Sequence, residues 1–547
     1  MIARHGQLCP LLLAAAAFVV METIIGTGAE KKKGQTPEFR TSDRCIACHN
    51  GLLTASGEDI SIGFDWRAST MANSSRDPYW QASVRRESID HSESKAAIED
   101  ECSICHMPIT RYEARLRGQH GEVFSHLPFP ADEKEGRQAA DGVSCSVCHQ
   151  ISRERLGTPE SFNGGFVVQT AEDSGLRPEY GPFEVEAGHT RIMWTSSEGY
   201  RPTQSDHVRQ SEICATCHTV LTQALGPGGT VIGRLPEQVP YQEWLHSDYK
   251  NTQSCQACHM PLVKEPVPIT RVFGVPREGV SRHTFVAANS FMLRMLNRYR
   301  DALAVAALPQ ELTAAADQTI RFLASQAARI SIEDVQMQSG RLQADVVVEN
   351  LGGHKLPTAY PSRRAWLHLV VRDGKGRAVF ESGAVNPDGS VQGNDNDADG
   401  STFEPHYTEI RSGDQVQIYE SIIGDASGRV TTGLLTGVRY LKDNRLLPHG
   451  FDKRTAEPDI AVHGAAVNDA DFTGAGDRVR YSIGVANAQG PFTVEAELLY
   501  QPIGWRWANN LKAYDKAAEP RRFTGYYDAM AASATTTLAS ARRSQPM

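Results

Sequence analysis

No hydrophobic run in this chain comes close to the roughly 20 residues that cross a bilayer; the longest, Leu11–Val20, has ten. That excludes a spanning helix from the mature chain. Basic residues are also in deficit, with 56 Lys and Arg against 65 Asp and Glu, a net charge of −9. Nucleic acid is therefore excluded as a partner, because phosphate binding needs a basic surface. Cysteine is missing altogether after residue 258. The C-terminal half thus holds no thiol-attached cofactor.

What is present begins with an export leader. Arg4 and His5 form a short polar head before Leu11–Val20, and the small residues 26–29 offer a cleavage site ahead of Glu30-Lys31-Lys32-Lys33. The other reading, an uncleaved anchor, suits so short a run less well. Residues 1–29 are read as a signal peptide, and the protein as periplasmic or otherwise extracytoplasmic. Cys9 falls inside this segment, too near the start for a lipidation site.

The remaining ten cysteines form five pairs, and each pair is followed at once by histidine: Cys45/Cys48/His49, Cys102/Cys105/His106, Cys145/Cys148/His149, Cys214/Cys217/His218 and Cys255/Cys258/His259. Composition alone would give roughly 0.007 such C-x-x-C-H motifs in the whole chain. Two thiols three positions apart on one helical turn can each add to a vinyl group of one porphyrin. The adjacent histidine then reaches its iron as the proximal ligand. Zinc would need four protein ligands per ion and no histidine after every pair. Disulfides within each pair would be strained and would leave the histidines unexplained. Five covalently bound haem c groups are the expectation.

The motifs occupy residues 45–259, about 43 residues per site, which leaves room for separate segments carrying sixth ligands. Two motifs continue alike, as Cys105-His106-Met107-Pro108 and Cys258-His259-Met260-Pro261. Proline there disfavours a continuing helix, so both turns should end the same way. Apolar spacing of three and four predicts helices between 289 and 326, including Leu303–Leu308, with Pro309 separating two of them. After Ile330 the period becomes two. Strands are expected at Leu342–Val348, Ala365–Arg372, Ala378–Glu381, Gln415–Ile423, Arg478–Val485 and Phe492–Tyr500. The fold class is therefore α+β: a helical, loop-rich pentahaem domain at 30–288, a helical linker at 289–329 and an antiparallel, Ig-like β-sandwich at 330–547.

Candidate sixth ligands come from histidines outside the motifs, although a lone histidine is more often a satisfied polar residue. His207 and His246 lie seven and nine residues before a motif and are placed for a neighbouring haem. His283 opens the linker; His126 and His189 complete the set. Met71 is the thioether alternative, and would raise its haem's potential, against a plain reading as gap-filler. His354 stands apart in Gly352-Gly353-His354-Lys355-Leu356-Pro357-Thr358, where flanking glycine and proline should fix an unusual backbone and present the ring outward. Its bland reading is a turn histidine bonded to backbone. Residues 395–400 (DNDADG) match half of a calcium loop, but position twelve is His406 rather than glutamate. A solvated acidic turn is the preferred reading there, ahead of calcium.

On these motifs the N-terminal half resembles the multihaem cytochromes of the cytochrome c-554 (c-552/4) type. The Cys-His-Met-Pro continuations and the segment Ser281–Phe285 carry the likeness beyond the attachment sites. Many such cytochromes resemble this chain further, in a β domain with a turn like Gly353–Thr358 and a stretch like Lys442–Pro448. The resemblance implies extracytoplasmic electron transfer, with other redox proteins or a membrane quinol-oxidising complex as partners, and a haem ligand from the Gly-His turn. A net negative surface fits a partner with a basic docking face. Pentahaem nitrite reductases are similar in haem count, but typically one of their attachment sites ends in lysine and leaves an open iron. Here every motif ends in histidine. An oxidoreductase acting on a small nitrogen or sulfur oxyanion is the alternative, and a docking subunit whose sandwich binds a membrane complex is a third.

Overall fold

Alternating apolar residues in the cysteine-free part build two facing sheets. The computed structural model describes residues 39–545 except 131, 171–176, 198 and 486–487. The leader, with Cys9, lies outside the described residues.

One sheet runs, in spatial order, Ala328–Gln338, Arg341–Asn350, Asp477–Gly484 and Glu409–Ile410. The other runs Val430–Thr431, Ile418–Gly424, Arg364–Arg372, Thr493–Gln501 and Thr536–Ser544, with Arg439–Asp443 and Ala378–Ser382 as side branches. Leu342, Ala344, Val346 and Val348 point inward from one sheet at every second position. Leu367, Leu369, Val494, Ala496 and Leu498 meet them from the other. This is the period-two signal turned into a sandwich core. Pairing is antiparallel except where Glu409 and Ile410 lie parallel to Arg480 and Tyr481. The fold class is α+β, with these sheets in the C-terminal part and short helices and loops carrying the cysteine motifs.

Two helical expectations need revision. Ser290–Arg298 and Pro309–Gln326 are helices, and Pro309 opens the second rather than merely ending the first. Residues 303–308 are not helical, because Ala304 takes φ +52°, outside the helical region. Val305 and Ala307 of that turn are still buried beside Phe291 and Leu296. The C-terminal part also contributes what periodicity did not suggest. Helix Ala518–Asp528 leaves the sheets and packs on helix Pro78–Asp90, burying Phe523 and Tyr527 against Tyr79 and Ala82. Arg85 and Glu519 bind across that contact at 2.8 Å.

The acidic segment at 395–400 is only in part the expected solvated turn: Asp395 and Asp399 are exposed, whereas Asp397 is buried in an ion pair. Residues Asp395–Ala398 form one helical turn, and both carboxylate oxygens of Asp397 are taken by Arg364 at 2.8 and 2.9 Å. Val391 donates its N–H to the same carboxylate. Both side chains are buried. Removing one partner of a buried pair costs about 3–5 kcal/mol, because the other charge is left unpaired. Asp397→Asn is accordingly expected to lower the urea unfolding midpoint sharply, and millimolar calcium to leave the parent's midpoint unmoved. A calcium-dependent rise would restore the metal reading.

His406 belongs to a buried group with Asp469 and Asp477 whose ligand atoms lie within 4.8 Å of one another. The hydrogen bonds argue against an ion. Nδ1 accepts from the amides of Gln417 (2.9 Å) and Asn444 (3.1 Å). The oxygens of those amides are held by the Tyr407 and Glu420 N–H groups, which fixes their orientation. Nε2 therefore carries the hydrogen and donates it to Asp469 at 2.9 Å. The group is a closed polar network within the sandwich.

Candidate haem sites

Each C-x-x-C-H segment sits on a short helical turn with its histidine at or near the C-terminal end. His106, His218 and His259 are the last residues of helices Lys95–His106, Glu212–His218 and Cys255–His259. His149 is next to last in Cys145–Gln150, where Ser144 caps the helix by accepting from the Val147 N–H. His49 follows helix Asp43–Ile46 in the next turn. The two Cys-His-Met-Pro continuations do end alike. Met107 (φ −133°, ψ 52°) and Met260 (φ −131°, ψ 70°) both leave the helical region before the proline.

All five motifs open onto one branched cavity of ≈ 2130 Å3. That is about 430 Å3 for each motif, inside the roughly 300–1,000 Å3 of a pocket for one cofactor-sized ligand. None of the ten cysteines is in a disulfide, so the thiols are free for attachment.

Four proximal rings are anchored in the same way. Nδ1 of His49, His106, His149 and His259 donates to the carbonyls of Ile269 (2.7 Å), Ser74 (2.9 Å), Tyr180 (2.6 Å) and Val286 (2.6 Å). This fixes the tautomer that leaves Nε2 with its lone pair for a metal. Burial pushes all of these rings below the usual histidine pKa, His106 and His259 to about 4, so they are neutral at pH 7. His218 is the exception in anchorage. Among the described residues its ring has no hydrogen-bond partner, though burial lowers its pKa as well.

The order of the sites in space follows from which thiols lie near one another. The Cys45 and Cys145 thiols, those of Cys105 and Cys217, and those of Cys214 and Cys255 lie close enough for the charge of one to act on the other. Cys148 lies close enough to Cys214 and Cys217 for its charge to act on both. The first motif thus neighbours the third, the third neighbours the fourth, and the second and fifth both meet the fourth.

Of the candidate sixth ligands, the fold brings two histidines opposite proximal ones. His283 faces His149 with ring centroids 6.3 Å apart, and His354 faces His259 at 6.2 Å with the rings 8° from parallel. Two imidazoles bonded at about 2.0 Å each to one metal from opposite sides have centroids about 6 Å apart. His283 and His354 turn Nδ1 to the Ser281 and Lys355 carbonyls (3.1 and 2.9 Å), leaving Nε2 uncommitted as in the proximal rings. Burial lowers His283 to about 3.

In the turn that presents His354 the two glycines work by close approach, while the Leu356–Pro357 peptide bond after it is cis. Neither Gly352 nor Gly353 has positive φ, but a Cβ on Gly353 would lie 3.2 Å from Tyr249 and 3.4 Å from Trp244. Glycine lets the loop press against the wall beside the fifth motif. A buried charge network holds it there. The Glu243 carboxylate accepts from the Lys355 N–H (3.1 Å) and the Thr358 hydroxyl (2.5 Å). Arg445 lies 3.0 Å from the same carboxylate, off the line of its N–H, and binds Asp443 at 2.7 Å. Lys355 completes the ring through Asp443, also at 2.7 Å.

The other candidates stand elsewhere. His207 is removed from the ligand set because both nitrogens are used: Nε2 donates to the Ile151 carbonyl (2.8 Å) and Nδ1 pairs with the Ser205 hydroxyl (2.7 Å). His246 turns Nε2 to the Asp452 carbonyl (3.1 Å) and packs on Phe451, away from the cavity. His126 is also outside the cavity wall, at the end of the short turn Phe124–His126. His189 lines the cavity on helix Ala187–Ser196, but its Nε2 hydrogen is donated to the Phe273 carbonyl at 2.9 Å. Met71 lines the cavity. Sequence reasoning missed Trp80, whose ring lies flat on His106 at 4.3 Å, and the pair Tyr360 and Arg363 on the cavity wall.

The residues present therefore fit five covalently attached haems: free thiols in pairs, neutral imidazoles with Nε2 exposed, and spacing that admits a metal between facing rings. No family model matches the sequence, and no curated protein matches it. Among solved structures, a penta-heme cytochrome c552 from Thermochromatium tepidum is similar, with a TM-score of 0.52 over 93% of this chain and 100% of that one, at 15% identity. What the two share at that identity is the fold, and this chain folds as that pentahaem cytochrome does.

Proposed function

We propose that this chain is an extracytoplasmic pentahaem c-type cytochrome that passes electrons between redox partners. The observation that carries the reading is the single cavity lined by all five attachment motifs, whose thiols lie near one another from site to site. When bound, the haems supply iron that takes up and gives back one electron at a time. The chain holds each ring by two thiols, keeps the proximal imidazoles neutral and encloses neighbouring sites in one wall. Its layout makes the fourth site a junction between the first–third arm and the second and fifth sites.

His283 and His354 are the sixth ligands we assign, opposite His149 and His259. The leader at 1–29 exports the chain, residues 30–288 carry the haems, 289–329 link, and 330–547 brace the fifth site. A basic face on another redox protein or on a membrane quinol-oxidising complex is the docking partner that the net charge favours. No helix among the described residues is long and apolar enough to cross a membrane.

The mass of the purified protein after acid-acetone extraction should exceed that of the leaderless polypeptide by five haems. Four or fewer sinks the assignment. A Cys145→Ala, Cys148→Ala double variant should lose one haem and much of its stability, since each group forms a large part of the local core.

A further inference from the structure

We propose that Arg209 and Arg277, gathered on the ring of Phe183, clamp the propionate carboxylates of the haem held between His149 and His283. The inference rests on the haem reading above and deepens it.

The first observation is a pair of cations without an anion. The Arg209 and Arg277 guanidiniums each lie 5.3 Å from the centroid of the Phe183 ring, and all three side chains line the cavity. Among the described residues neither guanidinium has a carboxylate at ion-pair distance or a hydrogen-bond partner. The ring attracts both cations but leaves their charge uncompensated, and like charges brought together repel. A planar fork of donors fits a carboxylate bidentately, which an aromatic face does not replace. Other arginines of the haem-bearing part show the usual arrangement: Arg67 binds Glu311, Arg85 binds Glu519 and Arg282 binds Asp65. Arg363 also lacks a carboxylate, but the Thr358 carbonyl holds it.

Second, the backbone fixes the pair. Arg277 and Val267 exchange both of their backbone hydrogen bonds, at 2.9 and 3.0 Å. Gly279 then turns with φ +71°, and a Cβ there would lie 3.8 Å from the Arg209 guanidinium. Arg209 ends the short turn Asp206–Arg209, and the carbonyls on either side of it, of Val208 and Gln210, accept from the Gln256 amide at 3.2 and 2.7 Å. Two separate segments are thus pinned so that their cations converge.

Third, the segments lead to one site. Phe183 lies three residues after Tyr180, whose carbonyl holds Nδ1 of His149. Arg277 lies four residues before Ser281, whose carbonyl holds Nδ1 of His283. Arg209 lies two residues after His207, whose ring packs edge-on against Tyr180 at 4.9 Å. Four residues of extended chain span at most about 14 Å, which sets the clamp at the rim of a porphyrin held by those two imidazoles. Phe183 also packs beside Ile269, whose carbonyl holds His49, so the first haem is the neighbouring claimant. Anchorage to both axial rings favours the third.

Ionised propionates stabilise ferric iron, and the two guanidiniums offset that charge. The clamp therefore holds up the potential of the haem that stands between the first and fourth sites.

The test uses the fully loaded protein. Arg209→Gln and Arg277→Gln should each lower the midpoint potential of one haem, because an unpaired propionate favours the ferric state, with five haems retained. That haem should be the one whose low-spin EPR signal His283→Ala abolishes. The propionate bending band in the resonance Raman spectrum should shift in both Gln variants. Arg277→Lys, which keeps the charge without the fork, should retain most of the potential while the band still moves. Unmoved bands and potentials in both Gln variants would show that the arginines serve a ligand other than haem, and the proposal falls. A potential shift with unmoved bands is charge acting through space, which rules out the clamp. A shift confined to another haem defeats the third-site assignment. Fewer than five haems in the parent would overturn the cytochrome reading itself, a separate result.

Discussion

Replacing His354 with alanine is expected to convert one haem from low to high spin and to raise its reduction potential, with all five haems retained. The reasoning starts from geometry. His354 and His259 stand 6.2 Å apart, almost parallel, with Nε2 uncommitted on each ring. Removing one imidazole removes a strong-field ligand that favours the ferric state. EPR and a spectroelectrochemical titration read both effects. Added imidazole should restore the low-spin signal by filling the space left. His207→Ala is the matched control, because its nitrogens are spent on Ile151 and Ser205. That variant should change stability and leave every haem spectrum as in the parent. A parental spectrum from His354→Ala would make His354 a turn residue and the sandwich a mere attachment.

The contrast between His354 and His207 shows what could be read from the chain alone. The attachment motifs are contiguous, so chemistry written into three adjacent positions survives any fold around it. The strands from Leu342 to Tyr500 were legible for a similar reason, since a half-buried strand needs only a two-residue period. Sixth ligands obey no such local rule. His207 sits seven residues before a motif and looked well placed, yet its ring bonds backbone 56 positions away. His354 lies 95 residues after its candidate partner, and nothing in between announces the contact. The proline after it does stand in an unusual backbone, a cis bond to Leu356, whereas the Gly-Gly before it serves close approach to Tyr249 and Trp244. The calcium-like segment failed for want of its partner. Asp397 looks solvated until Arg364, 33 residues earlier and on a central strand, is brought against it. The return of helix Ala518–Asp528 to the haem-bearing part was likewise invisible, because a helix face records that it is apolar and not what it meets.

Glu243→Ala is expected to lower stability by about 3–5 kcal/mol and, at the same time, to loosen the ligand at the fifth site. Glu243 is fully buried on helix Pro240–Leu245, twelve residues before Cys255 of the last motif. Two donors from the C-terminal part converge on it, the Lys355 N–H and the Thr358 hydroxyl, and Arg445 pairs with it at 3.0 Å. Lys355 and Thr358 follow His354 within four residues. Deleting the carboxylate leaves Arg445 with Asp443 alone and leaves a buried backbone N–H without its acceptor. The urea midpoint should fall, and a high-spin fraction should grow at the haem that His354 caps. Glu243→Gln, which keeps an acceptor and loses the charge, should lose less of both. Asp443 sets the matching pH dependence. Burial would raise its carboxyl, but Arg445 and Lys355 override this and hold it well below the usual range. Because the folded-state value is depressed, its stabilisation is fully present above the ordinary aspartate value of about 3.9 and is lost as pH falls through the folded one. Asp443→Asn should therefore flatten the acid limb of the midpoint-against-pH curve. If Glu243→Ala unfolds more easily but its EPR spectrum matches the parent, the network serves the sandwich alone and His354 is held by the glycine contact without it.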